Sequence, residues 1–206
     1  MLQVCDHPLI HEEIGRLRDR ACPSAEFRQR IRRVASLMLP QVTANLPTRP
    51  TSVETPLEVT AGARLQRPIV LAPILRAGIG FLDGFADLLP EASVGHIGLA
   101  RNEETLQPEP YYFKVPPNLA EAEVIVLDPM LATGGSAAEA ISALKKAGAV
   151  HLRFACLVAA PEGVEHLESA FPELPIFTAA LDRCLNEKGY ILPGLGDAGD
   201  RIFGTV

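Results

Sequence analysis

Asp128, Pro129, Met130, Leu131, Ala132, Thr133, Gly134, Gly135 and Ser136 follow one another directly, and this stretch is the chain's sharpest chemical signal. An acid closes the apolar run 124–127, and small residues then lead into a helix-like segment. Ser136 and Glu139 have the S-x-x-E spacing of a capping box, which predicts a helix start there. Backbone N–H groups of residues 132–136 would then converge on an anion at the positive end of that helix. Asp128, at the strand tip, would accept hydrogen bonds from sugar hydroxyls. A tight small-residue turn with an ordinary cap and no ligand is the plainer alternative. The stretch has no lysine where an ATP-binding P-loop needs one, so that chemistry does not fit.

A second loop, Leu75-Arg76-Ala77-Gly78-Ile79-Gly80, sets an arginine beside two glycines after another apolar run. Its guanidinium and backbone N–H groups would suit a phosphate, while a solvated arginine on a turn is the competing reading. A literal G-x-G-x-x-G occurs at Gly194, Gly196 and Gly199. Only seven residues follow it, too few for the helix and strand of a dinucleotide-binding unit, so no nicotinamide cofactor is expected. His7 and His11 stand near Glu12, but Pro8 intervenes and no third ligand is evident; a half-exposed helix start is expected there, and no metal site. Lys145 and Lys146 read as the solvated face of a helix. Tyr111, Tyr112 and Phe113 read as a hydrophobic anchor more than as a stacking platform.

These loops need a scaffold. Residues 7–20 and 24–45 read as helices; Ser24 would cap the second, and Phe27, Ile31, Val34 and Met38 repeat at helical spacing. Pro40 should limit its unbroken run. Residues 52–59 alternate like a half-exposed strand, with Pro56 marking an edge. Apolar runs at 68–74, 94–99, 123–127, 152–158 and 175–180 predict strands, and 79–89, 136–147 and 161–170 predict helices between them. That alternation implies an α/β fold, a mostly parallel sheet flanked by helices, with ligands bound beyond the carboxyl ends of its strands. Residues 101–118 are polar and proline-rich, like a long hairpin or flap, and 182–206 look too glycine-rich for a helix. With no repeat or low-complexity linker, residues 1–206 read as a single domain.

The net charge of -6 over 206 residues provides no global basic field for nucleic acid, so an anionic substrate needs a locally basic pocket. Cys5, Cys22, Cys156 and Cys184 are scattered without a CxxC pair, which suits free thiols in a reducing cytoplasm. No charged leader precedes an apolar run at the N-terminus, and the longest apolar runs hold about seven residues against the ~20 that span a bilayer. A cytoplasmic protein without membrane partners is the expectation.

Taken together, the motifs resemble the uracil phosphoribosyltransferase family, within the type I phosphoribosyltransferase fold. The resemblance runs from His7-Pro8-Leu9 and Phe27-Arg28 through PILRAGIG (73–80), RNEETL (101–106), DPMLATGGS (128–136), LKKAGA (144–149) and VAAPEG (158–163). It ends in LNEKGYILPGLGDAGDRIFGT (185–205) and so covers nearly the whole chain. It implies a mostly parallel sheet with an N-terminal helical arm, a flap hairpin and a C-terminal hood over the base. It also implies an enzyme of pyrimidine salvage that joins uracil to phosphoribosyl pyrophosphate (PRPP), forming UMP and diphosphate. Asp128, Arg76 and Arg101 would be the catalytic residues. PRPP would lie on Arg76, Arg101 and residues 128–136 with Asp197 nearby, and Mg²⁺ would arrive mainly through PRPP. Uracil would be read by Ile191, Gly196, Asp197 and Ala198. The resemblance further implies a GTP effector and assembly as a homodimer or larger homo-oligomer.

Three departures bear on mechanism and packing. Most type I members have two adjacent acids in the PRPP motif, whereas Pro129 follows Asp128 here, and Ala132 stands where many carry a further acid. Both changes suit the uracil branch and leave the general base unassigned. Residues 40–45 depart from that branch's usual acidic stretch, with Gln41 where a Glu is common. Two other readings stand beside this one: an RNA-binding regulator on the same fold, and a different base specificity on the same enzyme scaffold.

Overall fold

A computed structural model gives the arrangement of the chain and describes residues 1–101 and 108–205, with side chains left aside at 101 and 108. The chain opens with β1 (Leu2–Val4), α1 (Pro8–Arg18) and α2 (Ser24–Thr43). A hairpin of β2 (Thr48–Glu54) and β3 (Val59–Leu65) follows, then β4 (Ile69–Leu75), α3 (Gly78–Ala86), β5 (Ser93–Val94), β6 (His96–Arg101) and β7 (Pro108–Lys114). After a short 3₁₀ turn come β8 (Glu123–Leu127), β9 (Met130–Leu131), α4 (Gly135–Lys146), β10 (His151–Ala159), α5 (Pro161–Ala170) and β11 (Ile176–Leu181). A small hairpin of β12 (Cys184–Leu185) and β13 (Ile191–Leu192) leads to α6 (Ala198–Phe203).

The apolar runs join in one sheet, ordered β1-β11-β10-β8-β4-β6-β7, with β5 beside β4 and β9 beside β10. Its pairings are parallel except that of β6 with β7. Side chains alternate between its faces. In β8, Ile125 and Leu127 pack with Ile14, Phe27, Ile31 and Phe81 from α1, α2 and α3. Val124 and Val126 pack on the opposite side with Ile141, Leu144 and Leu167 from α4 and α5. Burial on both faces is why these strands read as unbroken apolar runs. Fully burying a side chain such as Phe27, Phe81 or Ile31 contributes about 1.5–3 kcal/mol each. Among the described residues no helix is long and apolar enough to cross a membrane.

Three local expectations need correction. Pro23, not Ser24, caps α2: its extended backbone already turns the chain, and its carbonyl accepts from Phe27 N at 2.8 Å. Pro40 lies inside α2, which ends three residues later at Thr43, short of residue 45; proline has no N–H to give to the preceding turn. Residues 52–59 are not one strand. Thr55 Oγ1 accepts from the N–H groups of Leu57 and Glu58, folding Pro56 into the turn between β2 and β3. Finally, residues 182–206 do contain a helix: Asp197 caps α6 by accepting from Asp200 N at 2.9 Å.

Candidate active site

Two neighbouring parallel strands bring the informative loops together. β4 and β8 pair with Pro73 opposite Leu127, so Arg76 and Asp128 leave the sheet side by side at its carboxyl edge. Above them lies a cleft of about 450 Å³ whose lining includes Arg76, Leu99, Tyr111, Asp128, Ser136 and Asp197. A second lobe of about 200 Å³ is lined by Met130, Ala132, Tyr190, Ile191, Gly196 and Ala198. Ala77, Asp128, Asp197 and Gly199 border both lobes, so the two spaces adjoin along one wall.

The helix start behind this wall differs from the expected capping box. Gly134 occupies the cap position of α4 with φ 83°, in the left-handed region, and no side chain caps the helix. Ser136 therefore falls inside the first turn, where it lines the larger lobe instead of closing the helix end. The first N–H groups of a helix have no acceptor within it, so this turn offers donors to an anion. A Cβ on Gly134 would lie 3.0 Å from the Gly163 carbonyl, and one on Gly163 only 2.4 Å from that of Ala132. The turn thus rests directly on α5, and Gly163 is a close-packed position behind it that the sequence reading did not single out.

Asp128 is half-buried at the junction of the lobes. Burial pushes its carboxyl up to about 7, opposed only partly by the Met130 N–H that its Oδ1 accepts at 3.3 Å. Pro129 and Leu131, expected among the PRPP contacts, have their carbonyls turned toward the sheet. The Pro129 carbonyl accepts from Leu157 and Val158, and that of Leu131 from Ala160, while the Leu131 side chain is buried in the core. Met130, Ala132 and Ser136 do border the cleft; Thr133 is exposed, and Gly134 and Gly135 form the helix start.

Arg76 follows a cis Leu75–Arg76 peptide and reaches toward the C-terminal segment. Its Nη2 donates to Asp200 Oδ1 at 3.2 Å, and its guanidinium lies 5.9 Å from the centre of the Phe203 ring. A hydrogen bond from Thr205 Oγ1, with Arg76 behind it, holds the Asp200 carboxyl below its usual range. Asp197 is exposed and borders both lobes while capping α6. Ile191 and Ala198 are buried, with Gly196 exposed between them. Arg101 ends β6, but its side chain and the flap residues 102–107 lie outside the described residues.

The other candidates fall elsewhere. His7 Nδ1 accepts from Leu9 N and caps α1, and His11 pairs with Asp6 at 3.0 Å. Among the described residues no group of three or more His, Cys, Asp and Glu could hold a metal ion. Lys145 sits over the Phe171 ring at 4.9 Å on an exposed helix face. Tyr111, Tyr112 and Phe113 are exposed, not a buried anchor, because β7 is the sheet's edge strand; Tyr111 borders the larger lobe.

The uracil phosphoribosyltransferase family model matches residues 4–205. The uracil phosphoribosyltransferase of Ligilactobacillus salivarius is 53% identical over 204 residues, covering 98% of each chain. That of Dictyoglomus thermophilum is 52% identical over 206 residues, covering 100% of each. Among solved structures, the AQ2163 protein from Aquifex aeolicus superposes with a TM-score of 0.93 at 36% identity, over 98% of both chains. Adenine phosphoribosyl transferase from Trypanosoma brucei, at 14% identity and a TM-score of 0.58 over 89% of this chain and 84% of that one, shares the fold.

Proposed function

The chain belongs to the uracil phosphoribosyltransferase family, pentosyltransferases of pyrimidine salvage, and we propose that its two-lobed cleft is where uracil and PRPP combine. The observation that carries this reading is the shared wall: a lobe bordered by Arg76, Asp128 and the α4 start adjoins one bordered by Ile191, Gly196 and Ala198. An anionic sugar donor fits the first and a flat polar base the second, so the base nitrogen and C1 of ribose meet over Asp128. The reaction forms the C1–N1 bond, breaks the bond from C1 to the leaving pyrophosphate, and passes the N1 proton of uracil to the departing pyrophosphate or to solvent.

The 5′-phosphate would take the free N–H groups of the turn 132–136, and Asp128 the ribose hydroxyls. Arg76 would leave Asp200 for the pyrophosphate, joined by Arg101, as charge grows on the leaving group. Asp128 and Asp197, the carboxylates that border the cleft, would face a Mg²⁺ ion carried in with PRPP, which would supply positive charge against the leaving pyrophosphate. Holding both reactants in line accounts for much of the expected acceleration, on the order of 7–11 kcal/mol. A homo-oligomer, a response to GTP and a cytoplasmic setting for the four free thiols complete the proposal. The deciding assay measures UMP formation from uracil and PRPP, with Mg²⁺ present or omitted. UMP formed only with the metal supports the reading, and no UMP under any of these conditions overturns it.

A further inference from the structure

The loop 191–198 is held from behind by two charged residues that line neither lobe. Asp182, just past β11, is 7% exposed, and its backbone N–H is tied to the Ala159 carbonyl at 2.8 Å. Arg18 ends α1 and meets it as a fork, Nη1 to Oδ2 at 2.8 Å and Nη2 to Oδ1 at 2.5 Å. The pair grips one residue of the loop, Gly194, through both of its backbone polar groups. Asp182 Oδ2 accepts from Gly194 N at 2.8 Å, and Arg18 Nη1 donates to Gly194 O at 3.1 Å.

Gly194 is where the loop doubles back. Its φ is 62°, and a Cβ there would lie 2.2 Å from the Ile191 carbonyl. A displacement at this residue therefore carries Gly196 and Ala198 with it on one side and Ile191 on the other. Those are the groups that border the smaller lobe. A planar guanidinium locked onto a carboxylate has little freedom to drift, unlike a single hydrogen bond.

We propose that the Arg18–Asp182 pair sets the position of the base-reading backbone and thereby the enzyme's selectivity for uracil. These are positioning residues: they act through Gly194 and touch no substrate. The inference rests on the reading of 191–198 as the uracil site.

The test compares wild type with Arg18→Gln, Asp182→Asn and Arg18→Lys in steady-state UMP formation, varying uracil and PRPP separately. Small misplacements of a reacting partner reach 10²-fold in rate, so a rise of roughly 10- to 100-fold in KM for uracil is expected in the first two variants, with KM for PRPP close to wild type. Cytosine should close part of its gap to uracil in the same variants. Arg18→Lys keeps the charge but loses the fork, so it should show a smaller loss of the same kind. Wild-type activity is read first: its absence strikes the proposed function, whereas active variants with unmoved uracil KM strike the clamp alone. Equal losses for both substrates alongside a lower Tm would make the pair a structural tie and overturn the proposal. If the Gln and Asn variants fail to fold, Arg18→Lys decides by itself, and wild-type uracil kinetics in it overturn the proposal.

Discussion

Asp128 carries a conflict between stability and function. Its carboxyl is raised from 3.8 to about 7 by burial, so the folded protein keeps a proton that the unfolded chain has already lost between those values. Stability therefore falls as pH rises through that window, and at higher pH the ionised group weighs against folding. Asp128→Asn should melt above wild type at about pH 8, with the difference shrinking toward pH 5, as thermal scans at both would show. Activity should move the other way. If the ionised carboxylate holds the ribose hydroxyls, the variant loses about 2–3 kcal/mol, roughly 30- to 160-fold in kcat/KM for PRPP. Unchanged PRPP kinetics in a folded variant would falsify that role. Wild-type kcat/KM for PRPP should likewise rise with pH through about 7.

The start of α4 shows how an element is set by backbone geometry that side-chain spacing does not reveal. Ser136 and Glu139 have the right separation for a capping box, yet the left-handed backbone at Gly134 puts the helix cap two residues earlier. Gly134→Ala brings a left-handed cost of about 1–2 kcal/mol, besides a 3.0 Å approach to the Gly163 carbonyl. The expected outcome is a lower midpoint in urea together with a higher KM for PRPP, since the N–H groups proposed to hold its 5′-phosphate shift with the turn. A variant that lost stability but kept its PRPP affinity would separate the turn from phosphate binding. The opposite case is α6, hidden by its glycines in sequence and formed because Asp197 caps it.

Across the whole molecule, buried charge ties the helical layer to the sheet. Arg153 Nε donates to Glu123 Oε1 at 2.7 Å between β10 and β8, and its Nη1 reaches the Val42 carbonyl of α2 at 2.9 Å. Both side chains are largely buried, so among the described residues Arg153→Ala leaves the Glu123 carboxylate with Arg67 at 4.0 Å. Denaturant titration should show a loss of ~3–5 kcal/mol. The same long-range organisation bears on substrate choice. The groups of Ile191, Gly196 and Ala198 belong to a loop held by Arg201, which donates to Leu195 O and Leu17 O while its guanidinium lies 4.2 Å from the centre of the Phe27 ring. Backbone so fixed cannot rotate to accept cytosine, which reverses the donor and acceptor at two positions of uracil. Cytosine should fall short of uracil by about 10⁴-fold in kcat/KM at saturating PRPP and Mg²⁺. Cytosine within about tenfold of uracil would remove the case for backbone readout.

The alternation of strands and helices is legible from the residues alone. Burial on both faces of a parallel sheet leaves apolar runs that need no tertiary knowledge to see. Also legible there are Asp128 and Arg76 as the groups at strand tips, since each stands where such a run ends. The register of the sheet then decided that these tips adjoin, through the pairing of Pro73 with Leu127. What surrounds these tips comes from contacts between elements far apart in the chain. Gly163 behind the phosphate turn and Arg18 on Asp182, 164 residues away, are such pairings. Local periodicity reports which face of an element is buried, but not against what, and these contacts arise from the order in which distant strands and helices come together.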